Sequence, residues 1–430
     1  MKKRILSFLL FGLARIYIWR FHPRIVGITG NVGKSSTKEA IAKVLSTRFS
    51  VRSTGGNMNN EIGLPVTIIG DFTQKYYKSG GTLKFWADVF VGGIKGLFAS
   101  RESYPEILVL EYGVDHPGEM KSLVSACPPT VAVVGAIGDV PSHGEFFVSS
   151  QHLAEEKSVL VQSISRNGWV ILNADDQHAF DMRRRTRGQV RTFGTHDGAD
   201  LRAIDVSIRM SGQKPIGVTC TLVANHASMP LLIRDTIGKG IATACAAGAL
   251  VGQVFGIGLA DSVSALTDLK PLPGRLRILN GIRDSILLDD TYNASPIAMK
   301  VALDALAQIQ GRKIAILGDM LELGYKSERA HEDIGAHASG IAQIIVCVGD
   351  KSRATAKIAR DHMPQENVYW YANSSLATIE VQKLIQTGDV ILVKGSQGIR
   401  MEKIVLEIMA DPSRAKELLV RQSTRWLEKN

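Results

Sequence analysis

Cysteine is scarce in this chain and carries no pattern. Cys127, Cys220, Cys245 and Cys347 show no CxxC spacing, which argues against a disulfide framework and a zinc site and favours a reducing, cytosolic setting. Long hydrophobic runs are missing as well. The uncharged stretch from Ile5 to Ala14 is about half of the roughly 20 apolar residues that a membrane-spanning helix requires. Lys2, Lys3 and Arg4 give it the outline of a signal peptide, but no small-residue cleavage site follows. Internal repeats and low-complexity tracts are absent too.

What is present is a chain of 430 residues, 45% apolar and 21% charged. It is too long for one ordinary core and too hydrophobic to be disordered throughout, so two or three domains are expected. Lysine and arginine number 51 against 41 acidic residues, a net charge of +10. That balance favours an anionic partner: nucleotide phosphate, nucleic acid or membrane lipid. Part of it lies in a basic, aromatic N-terminal extension, residues 1–23, where Arg15 and Arg20 alternate with Tyr17, Trp19 and Phe21. Two placements fit this composition. The segment can form a helix in a membrane interface, with cations near lipid phosphates and aromatics at headgroup level, or a helix docked on the protein's own surface. Its charge points more to a membrane surface than to nucleic acid.

Arg24 to Thr29 (RIVGIT) is a buried-strand pattern, followed by a glycine-rich turn and by helical periodicity over Ser36 to Ser46. Strand-length apolar runs recur at Ile107–Leu110, Val131–Val134 and Val170–Leu172, with room between them for crossover helices. The stretch 71–105 reads as an insertion, rich in Tyr76, Tyr77, Phe85, Trp86, Phe90 and Phe98. It is either a helix packed on its own domain or a second membrane-contacting surface. KPLPGR, Lys270 to Arg275, is composed like an interdomain linker. Beyond it, runs at Ser285–Leu288, Lys313–Leu317, Ile344–Val348 and Val390–Val393 alternate with helical segments. The expected fold class is α/β: a P-loop central domain with a mostly parallel sheet (24–271), plus a C-terminal Rossmann-like α/β domain (272–430). The basic run Arg183–Arg187 with Arg191 reads as a solvated loop in preference to an anion-binding patch.

The strongest local signal is TGNVGKSS, made of Thr29, Gly30, Asn31, Val32, Gly33, Lys34, Ser35 and Ser36. Backbone N–H groups between Gly30 and Gly33 can point at phosphate oxygens, and the following helix adds its N-terminal dipole. Lys34 would bridge terminal phosphates and Ser35 would hold Mg²⁺. The general P-loop pattern asks for a glycine five residues before Gly33; Ile28 stands there and Gly27 precedes it.

With this shortened spacing, and with GGNMNNEIGLP (Gly55–Pro65), DDTYNASP (Asp289–Pro296), LGDMLELG (Leu317–Gly324) and VKGSQGIRMEK (Val393–Lys403), the chain from about Arg24 onward resembles the ATP-dependent Mur ligases of peptidoglycan synthesis. Within them it is most similar to the branch that adds D-Ala-D-Ala to a UDP-MurNAc-tripeptide. The resemblance implies a cytoplasmic enzyme, in which ATP phosphorylates a peptide carboxylate and an amine attacks the acyl phosphate, giving an amide, ADP and phosphate. Catalysis of that kind rests on cations and positioning. The resemblance implies two Mg²⁺ ions, with Glu111 and His143 as metal-supporting residues. It marks Lys157 as a lysine carbamylated by CO₂, which converts a cation into an anionic oxygen ligand. Read without the resemblance, Lys157 is a helix-surface lysine paired with Glu156 or a neighbour one turn away. Asn57, Asn59, Asn60 and Glu61 would orient the sugar-peptide, or simply form an Asn-rich turn. Arg275 would approach the ATP phosphates on domain closure, Asp290 and Asn293 would hold the nucleotide from the C-terminal side, and Lys394, Ser396 and Arg400 would meet the dipeptide carboxylate.

The chain departs from the family pattern at Lys239, Gly240 and Thr243, where a His-Asn pair and a later Asn are usual, and at Gln397, where arginine is common. The family's N-terminal UDP-binding domain is expected to be missing. Three readings follow: a ligase acting on UDP-MurNAc-peptide and D-Ala-D-Ala, the same chemistry on a membrane-linked or other carboxylate acceptor, and a catalytically idle ATP-binding scaffold. The joint presence of Lys34, Ser35, Glu111, His143 and Lys157 argues against the third.

Overall fold

Runs of aliphatic and β-branched residues, each bounded by polar or glycine-rich turns, set two sheets. The structure is a computed structural model and describes residues 2–56, 58–138 and 146–428. In the first sheet, β1 (Arg24–Thr29), β2 (Val51–Ser53), β3 (Ile107–Glu111), β4 (Val131–Val134), β5 (Trp169–Asn173) and β6 (Gln189–Gly194) run parallel. β7 (Leu201–Ser211) continues it, and β8 (Lys214–Ala224) and β9 (Ala227–Arg234) fold back as antiparallel hairpins. The order is β2-β3-β1-β4-β5-β6-β7-β8-β9. Successive residues point to opposite faces: Ile25, Leu108 and Ala132 enter one core, and Val26, Val109 and Val131 the other.

Helices cover both faces. They are α1 (Lys2–Phe21), α2 (Lys34–Leu45), α3 (Gly63–Ile69), α4 (Thr73–Ser79), α5 (Leu83–Gly96), α6 (Glu119–Ala126), α7 (Ser150–Gln162), α8 (Gln177–Asp181), α9 (Lys239–Val254) and α10 (Leu259–Thr267). α1, α3, α5, α6 and α7 supply the first core; α2, α9 and α10 supply the second. α1 is docked on the protein's own surface, burying Leu10, Leu13, Ala14, Tyr17 and Phe21, with Phe21 stacked on Tyr104 at 4.4 Å. The insertion likewise packs on its own domain through Phe85 and Val89. Among the described residues no helix is long and apolar enough to cross a membrane. In the basic run, Arg183 and Arg185 pair with Asp181 and Glu155 at 3.6 and 3.5 Å.

The second sheet has the order β10-β11-β15-β12-β13-β14, from β10 (Arg277–Asn280), β11 (Ile286–Asp290), β12 (Lys313–Gly318), β13 (Ile344–Val348), β14 (Val368–Tyr371) and β15 (Val390–Lys394). β10 is antiparallel to β11 and the rest are parallel. α11 (Pro296–Ala307), α12 (Ser327–Ser339) and α13 (Arg353–His362) cover one face. α14 (Ser374–Leu384), α15 (Glu402–Ile408) and α16 (Ala415–Leu418) cover the other, and α17 (Thr424–Leu427) follows.

Candidate active site

β1 lies between β3 and β4, so the chain leaves it toward both sides of the sheet and a crevice opens beyond the carboxyl ends of these strands. The loop 30–33 fills that crevice. Gly33 caps α2 with φ 80° and no side-chain cap bond, a left-handed conformation that suits glycine and leaves the first N–H groups of α2 available to an anion. The loop is braced from below, because the amides of Asn31 and Val32 both donate to the Ala136 carbonyl, at 2.7 and 3.2 Å. Thr29, whose hydroxyl donates to the Tyr112 carbonyl at 3.1 Å, is buried beneath it.

Glu111 ends β3 and is buried. It accepts from the Ser35 hydroxyl at 3.0 Å and from the Asn59 side-chain amide at 3.2 Å. Burial lowers the pKa of Lys34, and the Glu111 carboxylate opposes that effect. Lys157 differs from the helix-surface reading. Ser149 caps α7 by accepting from the His152 amide, and Lys157 lies on the buried stripe with Leu153, Ala154, Leu160 and Val161. Burial, reinforced by the Lys34 charge, brings its ammonium down to about 7. The Glu156 charge opposes that effect from nearby, while its carboxylate accepts from the amides of Gly118 and Met120 at the start of α6.

From the segment leading into the second sheet, Arg275 reaches across and donates to the Ser35 hydroxyl at 3.4 Å, its guanidinium lying 3.8 Å from the centre of the Tyr292 ring. Gly274 before it has φ 66°, and a Cβ there would stand 2.8 Å from the Tyr292 amide nitrogen. The Lys394 ammonium donates to Asp290 at 2.6 Å and to the Asn293 carbonyl at 2.9 Å. Ser396 accepts from the Leu321 amide at 2.9 Å. Residues of both sheets thus line one cleft of ≈ 480 Å³, including Lys34, Glu111, Lys157, Arg275, Asp290 and Lys394, within the size range of small-molecule sites.

Other predicted residues sit differently. Asn60 faces the cleft but its side chain caps α3, accepting from the amides of Ile62 and Gly63. Glu61 does not line the cleft, and neither does Arg400, whose guanidinium is buried against Glu402 and near Trp426. Asn57 and His143 lie outside the described residues. Gly240 and Gln397 do line the cleft. Sequence reasoning passed over Asp115, which faces both lysines and favours their protonated forms, and Tyr292, the platform for Arg275. Tyr292 stands within DDTYNASP, so its signal was present, whereas Asp115 lies four residues past Glu111 and outside every motif.

Ser35 and Glu111 offer adjacent hard oxygens, the donor type Mg²⁺ selects. Among the described residues no group of three His, Cys, Asp or Glu could hold a metal, and Ser35 and Glu111 leave coordination positions that nucleotide oxygens or a carbamate would suit.

Residues 28–76 and 92–233 match the Mur ligase middle domain, and residues 274–397 match the Mur ligase glutamate ligase domain. The UDP-N-acetylmuramoyl-tripeptide–D-alanyl-D-alanine ligase of Bacillus subtilis is 30% identical over 406 residues, spanning 93% of this chain and 79% of its own length. The Escherichia coli ligase of the same name is 30% identical over 390 residues, or 89% and 76%. The crystal structure of MurF ligase from Thermotoga maritima in complex with ADP superposes with a TM-score of 0.76 at 25% identity, covering 93% of this chain and 83% of that one. Mycobacterium tuberculosis folylpolyglutamate synthase, at 14% identity and a TM-score of 0.65 over 92% of this chain and 95% of its own, shares the fold. Likeness of fold alone extends to such distant enzymes, whereas matches to both domains in order and 30% identity along nearly the whole chain are narrower, and on them the chain belongs to the Mur ligase family.

Proposed function

We propose that this protein is an ATP-dependent, ADP-forming amide ligase that joins D-Ala-D-Ala to a UDP-MurNAc-tripeptide, in the cytoplasm where ATP is made available. The observation that carries this reading is the meeting of Lys34, Ser35, Glu111 and Lys157 from one sheet with Arg275 from the segment leading into the other, around a single cleft. The substrate identity comes from the relatives' names.

In this reading a carboxylate oxygen of the tripeptide attacks the γ-phosphorus of ATP, and ADP leaves. The dipeptide's amine then attacks the acyl carbon, loses a proton and expels phosphate. Lys34 and Arg275 face the phosphoryl oxygens on which negative charge accumulates. Asn59, fixed to Glu111, orients the acceptor peptide. Gln397 and Lys394 lie toward the dipeptide side, and Asp290 holds the Lys394 ammonium in place. Lys157, buried and with its ammonium brought down to about 7, has a substantial neutral fraction near pH 7 and is a nucleophile able to take up CO₂. Ser35, Glu111 and a carbamylated Lys157 would hold Mg²⁺, which would supply charge neutralisation at the phosphates.

The test follows phosphate release by the purified full chain with ATP, Mg²⁺, D-Ala-D-Ala and UDP-MurNAc-tripeptide. Release well above that of Lys34→Ala is expected; release equal to that variant would overturn the reading, and no release with a lipid-linked acceptor either would favour an ATP-binding scaffold. A second reading, the same chemistry on a membrane-linked precursor, is favoured by the apolar outer face of α1. It predicts turnover of the lipid-linked acceptor and little turnover of the nucleotide-linked one.

A further inference from the structure

A surface helix ordinarily turns polar residues outward. α1 does not. Its inner side is buried in the first core, and its outer side carries Ile5, Phe8, Leu9, Ile16 and Trp19, all exposed, with Phe8 at 77% and Trp19 at 73%. Their spacing of three, four and seven residues puts them on one stripe. α5 repeats the arrangement. Phe85, Val89 and Gly93 face inward, while Leu83, Val91 and Ile94 remain exposed outward together with Phe98 just past its end, Leu83 at 90% and Phe98 at 86%. Large apolar side chains exposed in rows on neighbouring helices mark a contact surface and not scattered surface hydrophobicity.

The two helices are fixed to one another. The Tyr17 hydroxyl of α1 donates to the Gly93 carbonyl of α5 at 2.6 Å. A Cβ on Gly93 would stand 2.9 Å from Leu13, and one on Gly96 would collide with the Tyr17 hydroxyl, so the two glycines make room for the α1 side chains that pack on α5. The surface is therefore preformed. The match to the Mur ligase middle domain begins at residue 28 and is interrupted between 76 and 92, so α1 and the first part of α5 lie outside the matched segments.

Charge identifies the occupant. α1 carries Lys2, Lys3, Arg4, Arg15 and Arg20 with no acidic residue, and the first acidic residue of the chain is Glu39. Arg4, Arg15 and Arg20 are exposed along the apolar stripe. α5 adds exposed Lys84 and Lys95, and its single acid, Asp88, lies 3.9 Å from Lys75. A second copy would bring the same cations against these. A bilayer with anionic headgroups offers phosphate for the arginines, an interfacial layer for Trp19, and acyl chains for Phe8 and Phe98. We propose that the outer faces of α1 and α5 form a docking surface for an anionic phospholipid bilayer, on which the protein lies peripherally. The Ser7 hydroxyl of α1 donates to the Glu61 carbonyl at 3.3 Å, so docking would hold the Asn59–Glu61 loop at the cleft close to the membrane.

The test uses the full chain without ATP or substrates, so its outcome is independent of the ligase reading. Vesicles of phosphatidylcholine with phosphatidylglycerol are expected to bind the protein at least about tenfold more strongly than phosphatidylcholine alone, with the difference shrinking at high salt. The triple variant Phe8→Ser/Trp19→Ser/Phe98→Ser should lower partitioning about tenfold or more, with unchanged far-ultraviolet circular dichroism. Arg4→Glu/Arg15→Glu/Arg20→Glu should erase the preference for anionic vesicles. Wild-type protein that stays with the supernatant, or binding that the triple serine variant leaves intact, would overturn the proposal. So would a dimer in light scattering that the serine variant converts to monomer, which would assign the face to a second copy.

Discussion

Lys157 stands in the middle of an apolar helix stripe and Asp289 lies fully buried at the end of β11, and burial moves the two in opposite directions. For Lys157 the ammonium falls to about 7, leaving the neutral amine that CO₂ addition requires well populated at neutral pH. Wild-type protein equilibrated with ¹³C-bicarbonate should therefore show a carbamate resonance that Lys157→Arg lacks, and that variant should lose about a hundredfold or more in kcat. Asp289 accepts from the Thr291 hydroxyl at 2.6 Å and the Gly274 amide at 3.0 Å, yet desolvation outweighs these bonds and lifts its carboxyl to about 6. The folded state then binds this proton more tightly than the unfolded chain does. The associated stability is fully present below the ordinary aspartate range and is lost as pH rises through about 6. Asp289→Asn should flatten that part of the stability profile, read as urea midpoints at about pH 5 and about pH 7; an unaltered slope would show that Asp289 does not titrate there.

The phosphate loop depends on where α2 sits, and α2 sits where α9 lets it. A Cβ on Gly248 of α9 would lie 3.0 Å from the Ala40 carbonyl carbon and oxygen, backbone atoms that cannot rotate away. Gly248→Val should destabilise the fold by about 1–3 kcal/mol in urea unfolding, and should raise the KM for ATP because Lys34 and Ser35 move with α2. The bounds of β1, β4 and β13 were legible to the residue, since strands buried on both faces read as continuous apolar runs. β7, β8 and β9 escaped that search because they bury alternate residues and carry polar ones between. Their turn signals were present at Gly212 and Asn225, both with positive φ. At the site, the phosphate loop was legible from local pattern, and Glu111 through the family resemblance. The fate of Arg400 was not, because its φ of 61° brings its guanidinium to Glu402 only two positions on, a pairing that no helical or strand period predicts.

The two sheets are joined by backbone bonds between residues 235–237 and 276–278, and Arg275 beside that junction carries a further chain of contacts to the phosphate loop. Its Nη2 reaches Ser35 of the first sheet's phosphate loop, while Tyr292 of the second supports its guanidinium. Tyr292 is itself held from behind. Arg421 donates to the carbonyls of Thr291 and Tyr292 and pairs with buried Glu402 at 2.9 Å, and α17 just beyond it touches α4. This arrangement delivers a fixed cation to the phosphate loop whenever the sheets are together, which is the preorganisation that phosphoryl transfer rewards. In the proposed reading Lys34 and the amides of α2 would hold nucleotide from the first sheet alone, so Arg275 would contribute to closure and charge stabilisation more than to capture. Arg275→Ala should therefore lower kcat by about 10²–10³-fold while weakening binding of a non-hydrolysable ATP analogue less than about tenfold. Arg275→Lys should recover part of kcat by restoring charge, and less than all of it, since an ammonium lacks the planar face that stacks on Tyr292. Equal losses in kcat and nucleotide affinity would make Arg275 a binding residue, and no loss in either would show that the contact with Ser35 has no part in turnover.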